Sequence, residues 1–171
     1  MFADPVKILK MLGLREDNVV ADLGAGTGHY TLAAGAIVGR GKVYAVELQK
    51  DFVGTINSKI KEAHLSNVET IWGNVEKRGG TKIGDNIVDA VIASNILFQV
   101  EDKETFVEEV KRILKPKGKV LLVDWSPASI LKQRNMISRD KARVMFEKKG
   151  FSLDREVNAG EHHYGMILVK N

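Results

Sequence analysis

The sequence of 171 residues contains no cysteine, only three prolines and 6% aromatic residues. Without thiols there is no disulfide framework, no Cys-ligated zinc or iron–sulfur cluster and no cysteine nucleophile. Long apolar runs are missing too, since none approaches the roughly 18 residues a membrane span needs. The start, Met1-Phe2-Ala3-Asp4-Pro5, has no basic stretch followed by an apolar core. These absences predict a cytoplasmic chain with no membrane span. There is no internal repeat and no low-complexity tract. What remains is ordinary for a globular protein: 44% hydrophobic residues, 28% charged residues and a net charge of +4. At this length one core buries about two-thirds of the chain's surface, so a single domain over residues 1–171 is expected.

Short apolar runs alternate with segments of helical period, a pattern that predicts an α/β domain with a mainly parallel sheet. Within the N-terminal stretch 1–13, Asp4 caps a helix from Pro5 to Leu12, with Val6 and Leu9 on one face, and Gly13 ends it. Strands are expected at Val19–Leu23, Lys42–Val46, Val68–Trp72, Ile87–Ala93 and Lys119–Asp124. Helices are expected from the glycine turn to Val38, over 50–63, after Asp102 up to the break at Pro116, and from Ser138 to Gly150. Phe151–Val157 and Tyr164–Val169 read as an antiparallel hairpin. Residues 126–137 read as a loop over the substrate side.

The strongest local signal is Asp22-Leu23-Gly24-Ala25-Gly26-Thr27-Gly28 between a strand and a helix, with Glu47 ending the next strand. Glycines let the backbone turn sharply and approach a ligand, the helix start offers unpaired N–H groups, and an acidic residue about 20 positions on grips ribose hydroxyls. The glycines at 24, 26 and 28 are out of register for a dinucleotide fingerprint, because position 29 is His. Asp22 just ahead of the turn would repel a pyrophosphate but suits a ligand carrying ammonium and sulfonium charges. That chemistry is S-adenosylmethionine.

On these residues the sequence resembles the class I S-adenosylmethionine-dependent methyltransferases, and within them the small methyltransferase type 11 group similar to ubiquinone/menaquinone-biosynthesis enzymes. The resemblance runs from Asn18 to Lys170. It also rests on Gly73-Asn74-Val75-Glu76, on Asp89 to Asn95, on Leu114-Lys115-Pro116-Lys117-Gly118, on Val123-Asp124-Trp125 and on His162-His163-Tyr164-Gly165. It implies a Rossmann-like doubly wound sheet of seven strands, the last antiparallel, with helices on both faces. It implies backbone contacts from Gly24, Ala25, Gly26 and Gly28 to the methionine part of S-adenosylmethionine, with Asp22 and Thr27 in the same turn. Glu47 would bind the ribose, Leu48 would lie on adenine, Asn74 and Val75 would meet its edge, and Ser94 and Asn95 would border the sulfonium. The product would be S-adenosylhomocysteine. Two departures stand out: Asn74 where Asp is usual, and Lys117 where Gly is usual, the latter bearing on turn geometry.

No catalytic residue is legible. Asp124, at the carboxyl end of strand five, and His163 are the candidates; adjacent His162 and His163 point to opposite faces, so only one can face the site. As a metal pair they lack partners at ligand spacing, and no metal is expected. His29 and Tyr30 could contact the cofactor's carboxylate end. Trp72 and Phe98 could touch ligand but read more readily as core. Residues 111–149 hold twelve basic and three acidic residues. That is either a pair of solvated helix faces or a platform for RNA. Methyl transfer to a small-molecule acceptor is the favoured function. The alternatives are an RNA methyltransferase and a non-catalytic cofactor-binding partner subunit. Oligomeric state is not legible.

Overall fold

In a computed structural model, residues 4–128 and 134–171 are described. Elements alternate as expected: α1 (Pro5–Leu12), β1 (Val19–Leu23), α2 (His29–Ile37), β2 (Lys42–Glu47), α3 (Lys50–Glu62), β3 (Val68–Trp72), β4 (Val88–Ser94), α4 (Lys103–Ile113), β5 (Leu114–Trp125), α5 (Arg139–Glu147), β6 (Phe151–Val157) and β7 (His163–Lys170). The seven strands form one sheet in the order β3-β2-β1-β4-β5-β7-β6. Only β7 runs against its neighbours, pairing antiparallel with both β5 and β6. The order reverses between β1 and β4, and in open parallel sheets ligands bind at the carboxyl ends of the strands flanking such a switch.

The central strands β1, β4 and β5 are largely apolar on both faces because both are covered. Ala21, Leu23, Val91, Ala93, Val120 and Leu122 pack with Phe106, Val107, Val110 and Ile113 of α4 and with Ala142 and Phe146 of α5. Their neighbours Val20, Ala90, Ile92, Leu121 and Val123 pack with Ile8, Leu9 and Leu12 of α1 and with Ala34 of α2. Alternation along each strand thus builds two cores.

Helix starts follow their capping chemistry. Asp4, Asp102 and Ser138 accept from the backbone N–H groups of Val6, Thr105 and Lys141. Two readings of the sequence are corrected. The buried face of α1 carries Ile8, Leu9 and Leu12, while Val6 is exposed. Pro116 does not end α4: the helix stops at Ile113, Leu114 already pairs with Val88, and Pro116 lies within β5 at a register shift. Of the expected 126–137 loop, residues 129–133 lie outside the described residues.

Candidate functional site

The turn after β1 is built by close packing. Gly24 has φ +72 and a Cβ there would sit 2.5 Å from Ile96 Cδ1, so only glycine lets the loop after β4 lie against it. Four of the turn's N–H groups are consumed internally. Gly24 and Ala25 donate to the Val46 carbonyl, Gly28 to the Ala25 carbonyl, and Gly26 to Glu47 Oε2 at 2.8 Å. A pyrophosphate needs free N–H donors here. Beside this turn the site carries the buried Asp22 carboxylate, which fits a cation.

Beside it lies a cavity of about 330 Å³ lined by Asp22, Gly24, Ala25, Gly26, His29, Tyr30, Ser94, Asn95, Gln99, Val123, Ala159 and His163. Asp22 is 2% exposed, accepts from Thr31 Oγ1 at 2.6 Å, and burial with nearby Glu47 pushes its carboxyl up to about 6. Burial likewise pushes the Tyr30 hydroxyl, hydrogen-bonded to Ser94, up to about 12, so it stays protonated. Asn95 takes φ +53, and its side-chain oxygen is buried without a hydrogen-bond partner. An unpartnered buried acceptor in a cavity wall is costly unless a ligand donor completes it.

Six residues expected at the cofactor lie outside this cavity. Glu47 sits behind the turn, its second oxygen accepting from the N–H groups of Leu48 and Gln49 at 2.9 Å. It props the turn. Leu48 is 56% exposed. Asn74 Oδ1 accepts from the N–H of Glu76 at 2.8 Å, closing the loop on itself. Val75 is buried in the core. Thr27 is exposed and offers its carbonyl to Lys59 Nζ, and Gly28 caps α2. Trp72, read as core, is corrected: it is 51% exposed, donates its indole N–H to the Leu48 carbonyl, and lies under Lys50 and Lys82.

The two catalytic candidates separate. Asp124 is 2% exposed and is not among the cavity residues; its oxygens accept from the N–H groups of Leu97 and Trp125, both at 2.7 Å. Burial holds its carboxyl up at about 6 despite those bonds. This carboxylate anchors the loop after β4 to β5. His163 does line the cavity, its ring 4.2 Å from the Trp125 ring, and burial beside His162 lowers its pKa below the ordinary histidine value. Gln99, Val123 and Ala159 were not singled out from the sequence. Gln99 carried a signal, since it follows the Ser94-Asn95 strand end by one turn; the apolar pair did not.

These groups therefore fit S-adenosylmethionine: the Asp22 carboxylate for its cationic charge, and the unpartnered Asn95 oxygen for a donor group. Comparison agrees. Residues 21–122 match the family model described as a methyltransferase domain. The chain belongs to the class I S-adenosylmethionine-dependent methyltransferases. Its fold is close to that of a SAM-dependent methyltransferase from Aquifex aeolicus, with a TM-score of 0.89 and 29% identity over 99% of this chain and 90% of that one. A demethylmenaquinone methyltransferase from Geobacillus sp. is 30% identical over 75% of this chain and 54% of its own length. The ubiquinone/menaquinone biosynthesis C-methyltransferase UbiE of Hydrogenovibrio crunogenus is 32% identical over 69% and 46%. The chain spans about half the length of these curated relatives. The seven-stranded architecture with its antiparallel β7 is that of the family. Among the described residues no helix is long and apolar enough to cross a membrane.

Proposed function

We propose that the chain transfers the methyl group of S-adenosylmethionine to a small, hydroxylated aromatic acceptor of the quinol kind. The observation that carries the reading is the buried Asp22 carboxylate lining the cavity beside a glycine turn that spends four of its N–H groups internally, a site suited to a cation. The acceptor class is supported by the names of the quinone-pathway relatives and by the cavity walls Val123, Ala159 and Tyr30. When bound, the cofactor supplies an electrophilic methyl group on a sulfonium that leaves as a neutral thioether.

The chain's own residues bind and orient. Asp22, ionised above about pH 6, holds the ammonium end, and Thr31 fixes its carboxylate. Glu47 holds the turn in shape and offers its remaining acceptor capacity to the ribose. Leu48, Asn74 and Val75 would meet the adenine, outside the enclosed cavity. Ser94 and Asn95 border the reacting centre. Holding a nucleophile in line supplies much of the acceleration in such a transfer.

For the RNA reading, the basic stretch 111–149 offers less free charge than its sequence suggests. Arg112 pairs with Asp85 and Glu109, Lys115 with Asp89, Arg139 with Glu156, Arg143 with Glu147 and Lys149 with Glu108. The favoured reading is tested by calorimetric titration with S-adenosylmethionine, S-adenosylhomocysteine and NAD. Micromolar binding of the first two without NAD is expected, and binding of NAD alone overturns the reading.

A further inference from the structure

We infer that His163 is the proton acceptor of the reaction, taking the proton of a phenol-type hydroxyl on the acceptor. This rests on the proposed methyl transfer and deepens it. Four cavity groups could take a proton, and geometry separates them. Asp22 is bonded to Thr31 at the end of the cavity fitted to the ammonium. Tyr30 is held protonated beside Ser94. His29 is exposed at the first turn of α2 rather than held in the cavity wall by packing. His163 is half-buried in the cavity wall, on β7 rather than in the glycine turn or α2.

The imidazole is held in place. His163 opens β7 directly across from Trp125 on β5, so both side chains stand on one face and the rings meet at 4.2 Å and 38°. The preceding His162 carbonyl accepts from the N–H of Ser126, which pins the chain at the start of the strand. Gly165, two residues on, lets β6 close in: a Cβ there would lie 2.6 Å from Val157 Cγ2 and 3.1 Å from Ala159 Cβ. That contact brings Ala159 into the cavity wall beside the imidazole.

Burial and the neighbouring His162 favour the neutral ring. Among the described residues, the charged or titratable groups lining the cavity with it are Asp22, Tyr30 and His29, with His162 next in the chain, while Trp125 and Val123 on β5 and Ala159 carry no charge. A neutral imidazole is a base that can work near pH 7.

The chemistry balances. The hydroxyl proton moves to an imidazole nitrogen, and the O–H electron pair stays on oxygen, conjugated with the ring. That oxygen, or the ring carbon conjugated with it, forms the bond to the methyl carbon as the carbon–sulfur bond breaks with its pair on sulfur. A carbon acceptor then sheds its own ring proton to water, and the imidazolium passes its proton to solvent.

The test uses the full chain saturated with S-adenosylhomocysteine and titrated with 4-nitrophenol, whose phenolate absorbs in the visible, at a pH near the nitrophenol's own pKa. Wild type is expected to bind it saturably with a rise in phenolate absorbance, and His163→Gln to lose that rise while still binding S-adenosylhomocysteine. An equal rise in His163→Gln overturns the assignment, as does a wild type that binds S-adenosylhomocysteine but no nitrophenol. Failure of S-adenosylhomocysteine itself to bind would instead sink the methyltransferase reading. With a phenolic acceptor in turnover, His163→Gln should lower kcat by roughly 100-fold or more with KM little changed. Should His163→Gln fold poorly, His163→Asn serves in the same titration.

Discussion

Asp22 illustrates how one side chain is committed by its surroundings. A carboxylate at 2% exposure is costly to ionise, and burial with Glu47 nearby keeps its pKa near 6. The ionised form is the one that attracts a cation. Affinity for S-adenosylmethionine should therefore be level above about pH 7 and fall as pH drops through about 6, by at most tenfold per pH unit. Calorimetry across that range checks this, and Asp22→Asn should flatten the dependence while weakening binding by about 1.5 to 3 kcal/mol. Asp124 differs at the same scale, because its oxygens are spent on Leu97 and Trp125 N–H groups. Asp124→Ala strands two buried donors, and a stability loss of about 3 kcal/mol is expected in chemical denaturation. Cofactor affinity measured on the folded fraction should change far less.

Between elements, the loop after β3 depends on α4. Glu109 is 1% exposed and accepts from Gly79 N–H, from Thr81 N–H and hydroxyl, and from Arg112. Burial alone would raise its pKa, but Arg112, Thr81 and Gly79 together hold it down at about 2. Glu109→Ala should cost about 3 to 5 kcal/mol, since it leaves Arg112 and two N–H groups without their carboxylate. It should also weaken cofactor binding through Asn74 and Val75, a coupling that titration of the folded variant would read. Lys117 takes φ +63 in the turn leading into the paired part of β5. A left-handed non-glycine residue costs about 1 to 2 kcal/mol, and glycine returns part of that as chain entropy. Lys117→Gly should raise stability by up to about 1 kcal/mol, visible as a higher denaturation midpoint. The sequence marked this site because glycine is usual there.

For the whole molecule, acid titration pits these carboxylates against each other. Asp22 and Asp124 have folded pKa values raised to about 6, so their contribution is fully present below the unfolded value of 3.8 and is lost as pH rises through 6. Glu109 has the opposite sign: its contribution is present above 4.5 and lost as pH falls toward 2. Calorimetric Tm should hold or rise on going from pH 7 to about 5, then fall below about 4.5. A Tm falling steadily from pH 7 would contradict these assignments.

Much of this molecule was decided locally. Strand runs, caps at Asp4, Asp102 and Ser138, and the turn from Asp22 to Gly28 are legible because apolar period, capping chemistry and glycine conformation act over a few residues. They suffice for the fold class, the family and the cofactor. Tertiary structure decided what depends on residues distant in sequence. Whether Asp124 faces the site or the backbone of Leu97 depends on how the loop after β4 folds over β5. Whether Trp72 is core or surface depends on β3 being an edge strand. Which histidine faces the cavity depends on the pairing of Trp125 with His163. Periodicity reports which face of its own element a side chain occupies, while the neighbour across that face is set by chain closure over many residues. Local sequence therefore marks the glycine turn, while the cavity wall that holds His163 exists only after β7 docks on β5.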